Sequence, residues 1–145
     1  MTLLNAIITA GDFSAMDRPV SLAEQRAFIA NYPATGVFFV ALSGDELLGM
    51  QDVMPCATSP ELTGEVSTFV RLGRQGQGIG SSLSAVTLLA ARQRGFKRLY
   101  AKIRADNPKA LRFYQHQGFR CVAHETARIR SVVTDIVVTE RRLAP

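Results

Sequence analysis

The sequence predicts an α/β fold, a single domain over residues 1–145 with a mixed central β-sheet flanked by helices. Three observations predict it. Short apolar or β-branched runs alternate with stretches of helical periodicity, in the order β-α-β-β-β-α-β-α-β-β. One strand runs through a glycine-rich loop directly into the longest helix. No internal repeat, low-complexity tract or linker breaks the chain.

The 145 residues are enough to bury a sizeable core, and 47% apolar with 20% charged residues is ordinary globular composition. No apolar run approaches the length that spans a bilayer. Met1-Thr2-Leu3-Leu4-Asn5 lacks a basic segment and a cleavage signal, so no secretion peptide is expected. Two cysteines, Cys56 and Cys121, make neither a disulfide framework nor a metal cluster, and they read as buried small apolar residues in a reducing cytoplasm. The net charge of +5 permits nucleic acid. The basic residues are spread out, however, and no aromatic-and-basic recognition motif interleaves them.

In chain order, Leu3 to Thr9 reads as a first strand. Ser21 with Glu24 makes a capping box for a helix that ends before Pro33. Gly36 to Leu42 and Leu47 to Met54 are strands joined by a hairpin turn at Ser43–Glu46. Leu62 to Val70 is the next strand, with Glu65, Ser67 and Phe69 on one face and Val66, Thr68 and Val70 on the other. Ile79, Leu83, Val86 and Ala90 recur at helical spacing up to a stop at Gly95. Leu99 to Arg104 is a strand. Asn107-Pro108 then starts a helix, an Asx cap followed by proline at the first helical position, which stops at Gly118. Phe119 to Thr126 and Ser131 to Thr139 close the chain as an antiparallel pair.

The loop between Val70 and Ser81 is the first candidate site. Gly73, Gly76, Gly78 and Gly80 let the backbone reach positive φ and leave its amides bare. The free N–H groups and the dipole of the following helix favour an anion, most often phosphate. No Gly-Lys-Ser/Thr closes the loop, so it is not a P-loop. The G-x-G-x-G spacing is a poor dinucleotide fingerprint. Arg71 and Arg74 flank it. The second site is Asn107-x-x-Ala110-x-x-x-Tyr114-x-x-x-Gly118-Phe119, whose Asn107, Ala110 and Tyr114 share one helical stripe.

Gln75-x-x-Gly78-x-Gly80 after a strand, followed by this asparagine–tyrosine helix, resembles the GNAT N-acetyltransferase superfamily closely over Glu65 to Phe119. The resemblance implies acetyl-CoA as acetyl donor and a primary amine as acceptor, attacking the thioester directly. It implies that the backbone of Thr68, Phe69 and Val70 pairs with the pantetheine arm. It assigns the pyrophosphate to Gln75, Gly76, Gln77, Gly78, Ile79, Gly80 and Ser81, and the pantetheine or the order of the site to Asn107. Tyr114 would protonate the leaving thiolate, and a backbone N–H such as that of Val70 would stabilise the developing oxyanion.

Some relatives carry a glutamate five residues before the motif asparagine. This chain has Lys102 there, so Glu65 on the strand before the loop is the substitute base. A plain surface carboxylate is the other reading of Glu65, and His116 and His124 are weaker candidates. The acceptor pocket of the superfamily corresponds to Phe13–Arg26, Pro55–Thr63 and His124–Val133, where Arg128 and Arg130 could attract a substrate carboxylate. The resemblance implies a cytoplasmic acetyltransferase acting on a small-molecule amine, with no metal, nucleic acid or membrane expected among its partners. The alternatives are a protein N-terminal or lysine acetyltransferase and a non-catalytic CoA-binding module. Dimers are common in the superfamily, and a homodimer through the last strands is one arrangement the resemblance allows.

Overall fold

Among the described residues six β-branched and apolar segments become strands, and all six join one sheet. In this computed structural model, which describes residues 27, 30–44, 46–56 and 61–144, they are β1 (Val37–Ser43), β2 (Glu46–Pro55), β3 (Thr63–Val70), β4 (Arg98–Arg104), β5 (Arg120–Ile129) and β6 (Val132–Arg142). Two helices are bounded within the described residues, α1 (Ile79–Gln93) and α2 (Pro108–His116). The order β-β-β-α-β-α-β-β matches the sequence reading from its second strand onward. The first expected strand, Leu3 to Thr9, and the Ser21–Glu24 capping box lie outside the described residues. Ala27 and Ala30 are helical, as expected for the helix before Pro33.

The strands lie in the order β1-β2-β3-β4-β6-β5. Every pair is antiparallel except β3 with β4. A parallel pair needs a crossover, and α1 supplies it. Ser43 pairs with Glu46 across a tight turn at Gly44, and Ile129 pairs with Val132 across Arg130 and Ser131. The β5–β6 ladder continues to that turn, so β5 ends at Ile129 rather than at Thr126, and pairing with β4 carries β6 to Arg142 rather than Thr139.

β3 and β4 pair only at Thr63↔Arg98, Gly64↔Leu99 and Glu65↔Tyr100. β3 goes on to Val70, paired with β2 alone, and β4 goes on to Arg104, paired with β6 alone. The sheet therefore splits beyond Glu65, and the β4-facing edge of β3 is left without a ladder there.

The core lies between the sheet and the two helices. Leu83, Ser84, Thr87 and Ala91 are the buried face of α1. Val37, Val53, Phe96, Leu99, Tyr114 and Phe119 pack into one cluster beneath the helices. Neither cysteine belongs to it: Cys56 is half-buried and Cys121 exposed. Cys121 lies on β5, an edge strand exposed over nearly its whole length, so its apolar character finds no core to join.

Candidate active site

The split in the sheet opens into a cavity of about 480 Å³. β3 lines it with Thr68, Phe69 and Val70, the loop and α1 with Gln75, Gly76, Gly78, Ile79, Gly80 and Ser81, and α2 with Asn107 and Tyr114. Of the residues expected to form the site, Gln77 and Glu65 do not line this cavity. Arg74, Lys109, Ala110, Arg112 and Phe113 complete the wall.

The loop holds its shape through its own backbone. Gly73, Gly76 and Gly78 have φ of 84°, 82° and 79°, the left-handed region that favours glycine. Gln75 Oε1 accepts a 3.0 Å bond from the Gly73 N–H. Gly78 is the N-cap of α1 and brings no side-chain cap, and the first turn holds no acidic residue. The first helical bond runs from Ser82 N–H to Gly78 O. The amides of Ile79, Gly80 and Ser81 therefore have no partner in their own helix and carry the positive end of its dipole.

The flanking arginines differ. Arg74 lines the cavity and is held 2.8 Å from Glu46. Arg71 is drawn to the β1–β2 hairpin, where its Nε donates to Leu47 O at 2.6 Å. Lys109 and Arg112 make no ion pair among the described residues. Gly80 serves a separate purpose, because a Cβ there would lie 2.9 Å from the Phe113 ring. It lets the start of α1 approach α2 closely.

Asn107 caps α2 as its sequence predicts, its Oδ1 accepting the Ala110 N–H at 3.2 Å. Proline follows at the first helical position, pre-set for the helix. Tyr114 is the buried residue of this helix, stacked edge-on against Phe113 and Phe119 at 5.1 and 5.2 Å. Its hydroxyl lies 2.8 Å from Thr68 Oγ1, which joins α2 to the free edge of β3. Gln51 on β2 donates from Nε2 to Thr68 Oγ1 at 2.9 Å and to Ser84 Oγ at 3.0 Å. Burial raises the Tyr114 pKa well above its ordinary value. The Thr68 hydrogen bond opposes that rise, while the charges of Asp52 and Glu65 add to it. Tyr114 is accordingly a neutral phenol at any physiological pH.

The opposite face of the sheet is ionic. Asp52 pairs with Ser67 and Met54 with Glu65 across β2 and β3, so both carboxylates project away from Thr68. Burial lifts Asp52 to about 6, the 2.8 Å hydrogen bond from Tyr32 lowers it, and Glu65 raises it. Glu65 belongs to the last pair before β3 and β4 part. Lys102, which occupies the position of the glutamate found in some relatives, pairs with Glu125 at 3.0 Å.

The remaining candidates do not converge on the cavity. His116 ends α2, and His124 sits 3.5 Å from Cys121 on β5. Arg128 bonds Ser131 O at 3.2 Å and Arg130 forms the β5–β6 turn, so both belong to the hairpin end. Among the described residues no group of three or more His, Cys, Asp or Glu could hold a metal ion. None of their helices is long and apolar enough to cross a membrane.

Sequence reasoning missed Gln51, Lys109, Arg112 and Phe113 as members of the site. The signal for Gln51 was a polar pair, Gln51-Asp52, in the middle of an otherwise apolar strand. For the α2 residues it was spacing, since Lys109, Arg112 and Phe113 lie beside the Ala110–Tyr114 stripe.

A family model described as the acetyltransferase (GNAT) family matches residues 7–119. The chain is 34% identical over 86 residues to a mycothiol acetyltransferase of Geodermatophilus obscurus, covering 57% of this chain and 28% of that protein. It thus spans under a third of the length of that relative. A phosphinothricin N-acetyltransferase of Streptomyces coelicolor is 29% identical over 133 residues, covering 86% of this chain and 78% of that one. A phosphinothricin acetyltransferase of Sinorhizobium meliloti, solved in complex with acetyl-CoA, superposes with a TM-score of 0.85 at 18% identity, over 99% of this chain and 80% of the other. At that identity the likeness is one of fold.

Proposed function

The chain belongs to the GNAT acetyltransferase family, and on that footing we propose that it transfers an acetyl group from acetyl-CoA to the primary amine of a small molecule. The observation that carries this reading is the unladdered edge of β3 meeting a glycine-loop helix N-terminus and a buried phenol in one cavity. The groups present fit acetyl-CoA. The open amides of Ile79, Gly80 and Ser81 suit a pyrophosphate. Arg74, Lys109 and Arg112 suit its further negative charge. The edge at Thr68, Phe69 and Val70 suits the amides of an extended arm, as a sheet edge suits an added strand.

Bound acetyl-CoA supplies an activated acetyl thioester for the amine to attack. Tyr114 holds its proton at Oη, where burial keeps it until a strong base develops nearby, and so serves as general acid. Glu65, half-buried where the strands part, serves as the proton acceptor for the incoming ammonium. A small-molecule acceptor is supported by the relatives, which are named for mycothiol and phosphinothricin acetylation.

The test is thiol release from acetyl-CoA against a panel of primary amines that includes phosphinothricin, amino acids, polyamines and lysine peptides. Release with small amines and none with peptides is the expected result. Release with peptides alone would replace the small-molecule reading with protein acetylation, and release with no amine would leave a CoA-binding module.

A further inference from the structure

Gln51 is 2% exposed at the centre of the sheet, and its Oε1 has no hydrogen-bond partner. An unpartnered buried oxygen is costly, and an apolar side chain of the same length would avoid it. Packing therefore does not account for glutamine here. Its two N–H groups, however, are both in use, one on Thr68 and one on Ser84.

We infer that Gln51 is a positioning residue: by donating to Thr68 Oγ1 and Ser84 Oγ it fixes the Thr68 hydroxyl, and through it the place of the Tyr114 hydroxyl in the cavity wall. The inference rests on the proposed role of Tyr114 as proton donor. A threonine hydroxyl has one proton and two lone pairs. Gln51 occupies one lone pair, and the remaining lone pair or the proton of the Thr68 hydroxyl meets Tyr114 Oη, 2.8 Å away. Held from behind by Gln51, the Thr68 hydroxyl is a fixed partner for the phenol in the wall of the cavity that both residues line. Turning the amide round would draw the Thr68 and Ser84 protons onto Oε1 and bury an NH₂ group with two unmet donors in place of one unmet acceptor. The arrangement found leaves the smaller deficit.

The experiment is a double-mutant cycle on kcat, with the fastest amine of the panel as acceptor, across Gln51→Met, Tyr114→Phe and the double variant. Methionine keeps the length of the side chain and removes the donor. Gln51→Met is expected to lower kcat about tenfold, a part of the full general-acid contribution, with KM for acetyl-CoA and thermal stabilisation by CoA unchanged. In the Tyr114→Phe background the same substitution is expected to change kcat less than about twofold, because no hydroxyl remains to place. Gln51→Glu, which can only accept when ionised, is expected to lower kcat at least as far. If Gln51→Met does not melt cooperatively, Thr68→Val replaces it in the same cycle with the same expectation. Wild-type kcat in Gln51→Met, or an equal fall in both backgrounds, would overturn the inference while leaving Tyr114 as general acid. Unchanged kcat in Tyr114→Phe would overturn both.

Discussion

Gln51 and Asp52 are neighbours on β2, yet they face opposite sides of the sheet and meet opposite electrostatics. Gln51 enters a neutral chain of Ser84, Thr68 and Tyr114 under the helices. Asp52 enters a face that also carries Glu65, Lys102 and Glu125. A neutral buried network keeps one arrangement over a wide pH range, and it suits a group that must hold its proton in a fixed place. An ionic face changes with pH, and it suits groups that take up and release protons. The split between β3 and β4 is where the two faces communicate, and Tyr114 senses both carboxylates from the far side.

The largest effect that separates the faces is on rate. Tyr114→Phe should lower kcat by about 100-fold or more while leaving acetyl-CoA affinity and the pH dependence of stability unchanged. Steady-state kinetics together with urea melts would check both halves. A fall in affinity equal to the fall in kcat would mean that the phenol acts by packing.

The next effect lies on the ionic face and is one of stability. Asp52 is held at about 6 against an ordinary 3.8. Its carboxyl ionises more easily in the unfolded chain, so the stability contributed by its protonated form is fully present below about pH 4 and lost as pH rises through 6. The loss is about 3 kcal/mol at most. Asp52→Asn should flatten stability over that window, measured by urea unfolding at several pH values. A slope as steep as that of the parent chain would contradict the assignment.

Two smaller effects sharpen the contrast between a packed face and a solvated one. Gly80→Ala should destabilise by about 1 kcal/mol, because overpacking against Phe113 outweighs the helix propensity gained. Lys102→Gln should cost less than about 1 kcal/mol, since its pair with Glu125 is nearly half exposed on both sides. Thermal melts would rank the two.

Much of this molecule was legible in the sequence because its elements are locally specified. The Asn107-Pro108 start of α2, the glycine loop before α1 and the apolar runs of β1 to β4 each carry their own turn and cap chemistry. The loop and the Asn107–Tyr114 stripe also converge on one cavity. What was not legible depends on register. Gln51 meets Thr68 and Ser84 from 17 and 33 residues away, and only the pairing of β2 with β3 and the seat of α1 bring them together. Arg71 and Arg74 both pair with Glu46, in a hairpin distant in sequence. The place of Arg128 and Arg130 at the β5–β6 turn likewise follows from the length of the ladder and not from the residues beside them.

The central claim is that the opening beside β3 receives acetyl-CoA. Its most direct test is the melting temperature of the protein with acetyl-CoA, CoA and NADH at millimolar concentration. Ligand at about a hundred times its dissociation constant adds roughly 2.7 kcal/mol, so a rise of several degrees with both CoA species and none with NADH is the predicted result. No rise with acetyl-CoA would contradict the account and leave the glycine loop as a structural turn.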